Sequence, residues 1–101
     1  GDDMLKVGGI WVSPIEIEYV LMEHPAVNEC AVVGREVEGL MKPFAYVVLH
    51  AVDASSKERA SSELTEFVAN RLPKFKRPWG ISFLDELPKT ATGKIQRFKL
   101  R

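Results

Sequence analysis

Two short apolar stretches, residues 27–34 and 44–49, restrict what this chain can fold into more than any other feature. Each is too short for a buried helix, and the first is stopped by Gly34, so both read as buried strands. Residues 35–43 between them are polar and include Gly39, and the spacing predicts a loop across which the two strands pair antiparallel.

Helix signals flank this pair. In Ser13-Pro14-Ile15-Glu16, Ser13 is placed as N-cap, Pro14 takes the first helical position, where its missing N–H is no loss, and Glu16 stands where it completes a capping box. The helix is expected to run to about His24, before Pro25, with Ile17, Val20 and Leu21 among the residues of its apolar face. Residues 53–62 read as a polar connection. A second amphipathic helix is expected from Ser62, with Leu64, Phe67, Val68 and Leu72 at helical spacing and Pro73 as its end. Residues 4–12 predict a small hairpin about Gly8-Gly9, and residues 81–84 one more short strand. An ordered loop over 87–96 then leads into a basic tail. This order gives an α+β fold: helices packed on a small mixed sheet, preceded by an N-terminal hairpin. At 101 residues and 46% hydrophobic content there is material for one modest core, so residues 1–101 form a single domain.

No run approaches the roughly 20 apolar residues of a membrane span, and the N-terminus lacks the order of a signal peptide. The expectation is a soluble, cytoplasmic protein with no membrane partner. Cys30, the single cysteine, lies in an apolar run and is expected to pack as a small hydrophobe. His24 and His50 have no Cys, Asp or Glu at ligand spacing, so no metal site is predicted. Glu16 and Glu18 point in different directions on a helix and do not make a carboxylate pair.

The net charge of zero conceals a polarity: residues 1–70 carry five Lys/Arg against twelve Asp/Glu, a balance of −7, and residues 71–101 carry nine against two, a balance of +7. A basic last third suits an anionic ligand such as phosphate, nucleotide or nucleic acid, or is a solvated face. Residues 88–97 gather hydroxyls, one glycine and three cations. This is not a nucleoside-triphosphate P-loop, because that motif's second glycine is missing and Ile95 stands in place of its magnesium-binding Ser/Thr. What remains is Lys94 on a glycine-hinged loop, a point charge able to reach an anion held by another surface.

Pro88-Lys89-Thr90-Ala91-Thr92-Gly93-Lys94-Ile95-Gln96-Arg97 resembles the last core motif of adenylate-forming enzymes, the superfamily of acyl-CoA synthetases, peptide-synthetase adenylation domains and luciferases. Asp2-Asp3-Met4-Leu5-Lys6-Val7-Gly8-Gly9 and then Val12-Ser13-Pro14-Ile15-Glu16-Ile17-Glu18 resemble the hinge motif with which that family's C-terminal domain opens. His24-Pro25-Ala26-Val27, Ala31-Val32-Val33-Gly34, Lys42-Pro43 and the basic turn over 72–78 continue the likeness along nearly the whole chain, with a pattern most similar to aryl-CoA ligases of the benzoate or hydroxybenzoate kind.

The resemblance implies a C-terminal lid domain that works against a large N-terminal domain, which holds the acid and most of the ATP and Mg2+. Two half-reactions are implied. A carboxylate attacks the α-phosphate of ATP to give an acyl-adenylate, and the thiol of CoA then displaces AMP. Lys94 matches the family lysine that stabilises the first step, and Asp2 matches the hinge about which the domain rotates for the second. Gly8 and Gly9 match the lining of the pantetheine tunnel, although an ordinary hairpin turn also accounts for them. Phe75, Lys76 and Arg77 fall where related ligases meet the nucleotide end of CoA, and Trp11 and Trp79 either join that surface or pack. Lys89 and Arg97 are expected to shape the lysine loop. Rival readings are the small domain of a fatty acyl-CoA synthetase or of a peptide-synthetase unit and, from another class, a basic nucleic-acid-binding module. The last is disfavoured because the glycine-aromatic pattern of RNA-binding modules is missing.

Overall fold

The computed structural model describes residues 4–101. Strands β1 (Leu5–Val7) and β2 (Ile10–Val12) form the predicted antiparallel hairpin, with Val7 opposite Ile10. Gly8 and Gly9 make its two-residue turn at φ +55° and +82°, the left-handed pair that the twist of a short hairpin demands.

Helix α1 (Pro14–Met22) starts where expected, Ser13 Oγ accepting the Glu16 N–H at 3.4 Å. Only that half of the capping box forms, because the Glu16 carboxylate turns to Lys76 Nζ at 2.8 Å. The helix stops at Met22, short of His24. Its end tightens as Glu23 N–H reaches Val20 O and His24 N–H reaches Leu21 O, and His24 Nδ1 accepts the Ala26 N–H to hold the turn at Pro25.

Strands β3 (Val27–Val37) and β4 (Leu40–Leu49) pair antiparallel over their whole length, and here the expected loop over 35–43 is corrected. Those residues are the distal end of one long hairpin, turned by Glu38 and Gly39 at φ 51° and 80°. Their polarity reflects exposure: Arg35, Glu36 and Glu38 are exposed to solvent, as are Leu40 and Met41. Strand β5 (Gly80–Phe83) runs parallel to β4, giving a mixed sheet of order β3-β4-β5.

Helix α2 (Lys57–Ala69) begins well before Ser62, with Ser56 Oγ accepting the Arg59 N–H at 3.4 Å. Its first turn carries Lys57, Glu58 and Arg59 in solvent, which hides the helical period from a search for apolar residues. It ends at Ala69, before the chain reaches the buried Leu72.

The sheet is covered on both sides. Cys30, Val32, Ala45, Val47 and Leu49 share a core with Val12, Ile17, Leu21, Ala60, Leu64 and Val68. Ala31 and Val48 pack with Leu87, against which Leu84, Ile95 and Leu100 also lie. Two covered faces explain why the central strands read as unbroken apolar runs instead of alternating. The expected basic tail is part of that cover: Arg97–Leu100 form a 3-10 turn that brings Leu100 down onto the second face. At Gly34 a Cβ would stand 2.5 Å from Leu5 Cδ2 and 2.7 Å from Met41 Sδ, so the N-terminal hairpin lies against the sheet where a side chain is missing.

Cys30 is buried, its thiol 3.4 Å from the Glu18 carbonyl oxygen that accepts from it. Burial pushes the thiol up from its ordinary 9.0 to about 12, with the Glu18 carboxylate adding to the rise and Arg97 opposing it. The stability tied to this group is therefore whole below pH 9.0, where the unfolded thiol is also protonated, and is lost as pH climbs toward about 12. Urea midpoints across that window should fall more steeply for the parent chain than for Cys30→Ala, and parallel profiles would contradict this.

Candidate functional site

Lys94 sits on the outgoing arm of a small closed loop, next to the antiparallel bridge between Lys89 and Ile95 that forms its stem, and the chain turns over residues 91–93. Thr90 closes it from one side: its N–H donates to Lys94 O at 2.8 Å, its carbonyl accepts the Gly93 N–H at 3.0 Å, and its Oγ1 accepts the Lys94 N–H at 3.0 Å. Thr92 Oγ1 lies 3.1 Å from Thr90 Oγ1, and Gln96 N–H donates to Pro88 O at 2.8 Å. Gly93 takes φ +88°, which favours glycine at the one position where the loop must reverse. Leu87 and Ile95 fix the stem to the second face of the sheet, and the exposed Lys94 side chain leaves the neighbouring position. Ile95, where a P-loop would have a hydroxyl, is thus the hydrophobic anchor that leaves Lys94 outside.

Among the described residues no carboxylate lies within ion-pair distance of Lys94, whereas both flanking cations are engaged. Lys89 pairs with Glu29 of β3. Arg97 grips Glu18 of α1 with two donors, Nη2 to Oε1 at 2.6 Å and Nε to Oε2 at 3.0 Å. Glu18 is buried, and its Oε2 also accepts the Val32 N–H at 2.7 Å from the edge of β3 that β4 does not cover. The sequence weighs Glu18 only as a possible partner of Glu16 and gives it no role of its own. A signal was available, because Pro14, Ile17, Glu18 and Leu21 share the buried arc of α1, and a carboxylate among apolar positions requires donors.

Gly8 and Gly9 are exposed, and a Cβ built on either would meet nothing within 4 Å, so the turn leaves its surroundings open. Trp11 beside it is 60% exposed, with Lys6 Nζ 5.5 Å from its ring centroid. Phe75, Lys76 and Arg77 follow α2, the first two within a 3-10 turn, Lys74–Lys76. Phe75 is 37% exposed, Lys76 is paired with Glu16, and Arg77 donates to Leu72 O at 2.9 Å and Ala69 O at 3.1 Å. Arg77 thereby satisfies carbonyls at the end of α2 and fixes the turn to it. Trp79 is exposed beneath Lys42 Nζ, 5.1 Å from its ring centroid. Asp2 lies outside the described residues.

The lysine loop and the glycine hairpin stand on different cores. The Lys94 loop rests on the face of Ala31 and Val48, whereas Val7 and Val12 root the glycine hairpin in the core shared with the helices. Among the described residues no group of three or more His, Cys, Asp or Glu could hold a metal ion, and no helix is long and apolar enough to cross a membrane.

A benzoate–CoA ligase of Thauera aromatica is 55% identical over 101 residues, covering 99% of this chain and 19% of that protein. A 4-hydroxybenzoate–CoA/benzoate–CoA ligase of Rhodopseudomonas palustris is 46% identical over 101 residues, again 99% of this chain and 19% of the relative. The fold is shared with the solved anthranilate CoA ligase AuaEII in complex with anthranoyl-AMP, at a TM-score of 0.90 and 52% identity over 98% of this chain and 19% of that one. The chain thus spans about a fifth of the length of the relatives it matches, 19% in each case. The family model described as the AMP-binding enzyme C-terminal domain matches residues 16–94, from the Glu16 that ties α1 to Lys76 through to the exposed lysine of the loop, and the chain belongs to that family.

Proposed function

We propose that this chain is the lid domain of a cytoplasmic, ATP-dependent aryl-CoA ligase that acts on benzoate or a hydroxybenzoate. The single observation that carries the reading is the Lys94 loop: the cations on either side of it, Lys89 and Arg97, are neutralised by carboxylates while the Lys94 side chain stands in solvent on a braced backbone. Such a lysine suits an anion brought by another surface, here the N-terminal domain with its ATP, acid and Mg2+. The names of the relatives supply the acid class.

In this reading Lys94 faces the reacting carboxylate and phosphate during adenylate formation. Rotation about Asp2 then exchanges it for the hairpin, where Gly8 and Gly9 leave room for the pantetheine arm. Phe75 offers its ring to the adenine of CoA and Lys76, exchanging its pair with Glu16, a charge to its phosphates, while Arg77 holds their turn in place. The test is an enzyme carrying this domain, supplied with ATP, Mg2+, CoA and in turn benzoate, hydroxybenzoates and a long-chain fatty acid. AMP release and thioester formation should be greatest with the aromatic acids. A preference for the fatty acid, or transfer only to a carrier-protein thiol, would overturn the assignment.

A further inference from the structure

We infer that Glu18 is a positioning residue for adenylate formation, acting through Arg97 on the loop that presents Lys94; the inference rests on the role proposed for Lys94. Three contacts converge on this one buried carboxylate: the two-donor grip of Arg97 and the N–H of Val32. It therefore joins α1, the open edge of β3 and the chain segment just after Lys94. Arg97 is three residues beyond Lys94 on the same arm of the loop, a stretch of at most about 10 Å, so tying its guanidinium to Glu18 restricts the arm that carries Lys94. Lys89 and Glu29 confine the other strand of the stem.

A planar fork against a carboxylate sets direction as well as distance, which a lone ammonium cannot do. The carboxylate is buried while the Arg97 side chain keeps 33% of its surface exposed, so Glu18 is the fixed member and Arg97 the one that follows it. A lysine side chain is itself flexible, and its charge is useful in a transition state only if the backbone beneath it does not add further freedom.

The test is a cycle of Glu18→Gln and Lys94→Ala in an enzyme that carries this domain, assayed separately for adenylate formation and for thioester formation from supplied acyl-adenylate. Glutamine keeps the shape and can still accept the Val32 N–H, but it removes the charge that Arg97 grips. Glu18→Gln should slow adenylate formation about tenfold or more, thioester formation far less, and should add nothing to Lys94→Ala. An equal loss in both half-reactions, or the same loss with and without Lys94, would mean that Glu18 only holds the fold and would overturn the inference. Full adenylate formation by Lys94→Ala would instead bring down the role of Lys94, and with it this one.

Because a buried substitution can unfold the domain, Arg97→Lys serves as the second variant, keeping the charge and losing the fork. Amide exchange in this chain gives a readout independent of activity. In both variants the Gly93 and Lys94 amides, which are bonded to Thr90, should exchange faster while those of α2 keep their rates. Uniform acceleration across the chain would overturn the inference.

Discussion

Replacing Lys94 by alanine in an enzyme that carries this domain is expected to slow formation of the acyl-adenylate by about a hundredfold or more, the usual effect of deleting one preorganised electrostatic contact to a transition state. Thioester formation from supplied acyl-adenylate should be affected far less. The asymmetry follows from charge. In the first step a carboxylate approaches a triphosphate, and the repulsion is greatest as the new bond forms, so a cation there stabilises the transition state more than the separated reactants. In the second step a thiol meets a neutralised acyl group, and the proposed rotation has withdrawn the lysine. The domain itself should not notice the change, since Lys94 is exposed and the loop's closing bonds use only its backbone N–H and carbonyl. Lys94→Arg, which keeps the charge on a longer, planar group, should fall between the two. Equal losses in both half-reactions, or a shift in the urea midpoint of the alanine variant, would contradict this account.

How far the sequence disclosed this arrangement depended on which physical signal each residue carries. The strands, the glycine hairpin and the starting cap of α1 were legible because steric and capping rules act locally. The distal half of the β3-β4 hairpin is not legible in this way, since its solvent-facing residues carry no burial pattern and their polar composition also fits a loop. The start of α2 was obscured for the same reason. The expected Lys94 is a loop residue with its own motif, whereas Glu18 has its meaning only once α1, β3 and the C-terminal segment are brought together. The charge polarity was visible and its resolution was not. Lys76, Lys89 and Arg97 from the basic third pair with Glu16, Glu29 and Glu18 from the acidic part, so part of the asymmetry is fold-internal complementarity.

The largest effect on stability is expected from Leu64→Ala. Helix α2 is polar over most of its surface and meets the core through Ala60, Leu64 and Val68, of which Leu64 is the largest and is fully buried. Truncating such a leucine removes transfer free energy and leaves a partly collapsed cavity, together about 3 kcal/mol. For a domain of this size that lowers the melting temperature by about 15 °C, a large fraction of what marginal stability allows. Val52→Ala is the control, because Val52 is 86% exposed and its loss should be nearly silent. The consequence reaches the site through one side chain. Arg77 holds Ala69 O and Leu72 O at the end of α2, so a helix that rides loosely on the core carries the turn of Phe75 and Lys76 with it. Well below its melting temperature, Leu64→Ala in the larger enzyme should therefore raise the KM for CoA while adenylate formation, which depends on a loop anchored to the other face of the sheet, keeps most of its rate. A melting temperature equal to that of Val52→Ala would show that α2 is docked by other contacts. An adenylation defect as large as the CoA defect would show that the two faces do not act independently.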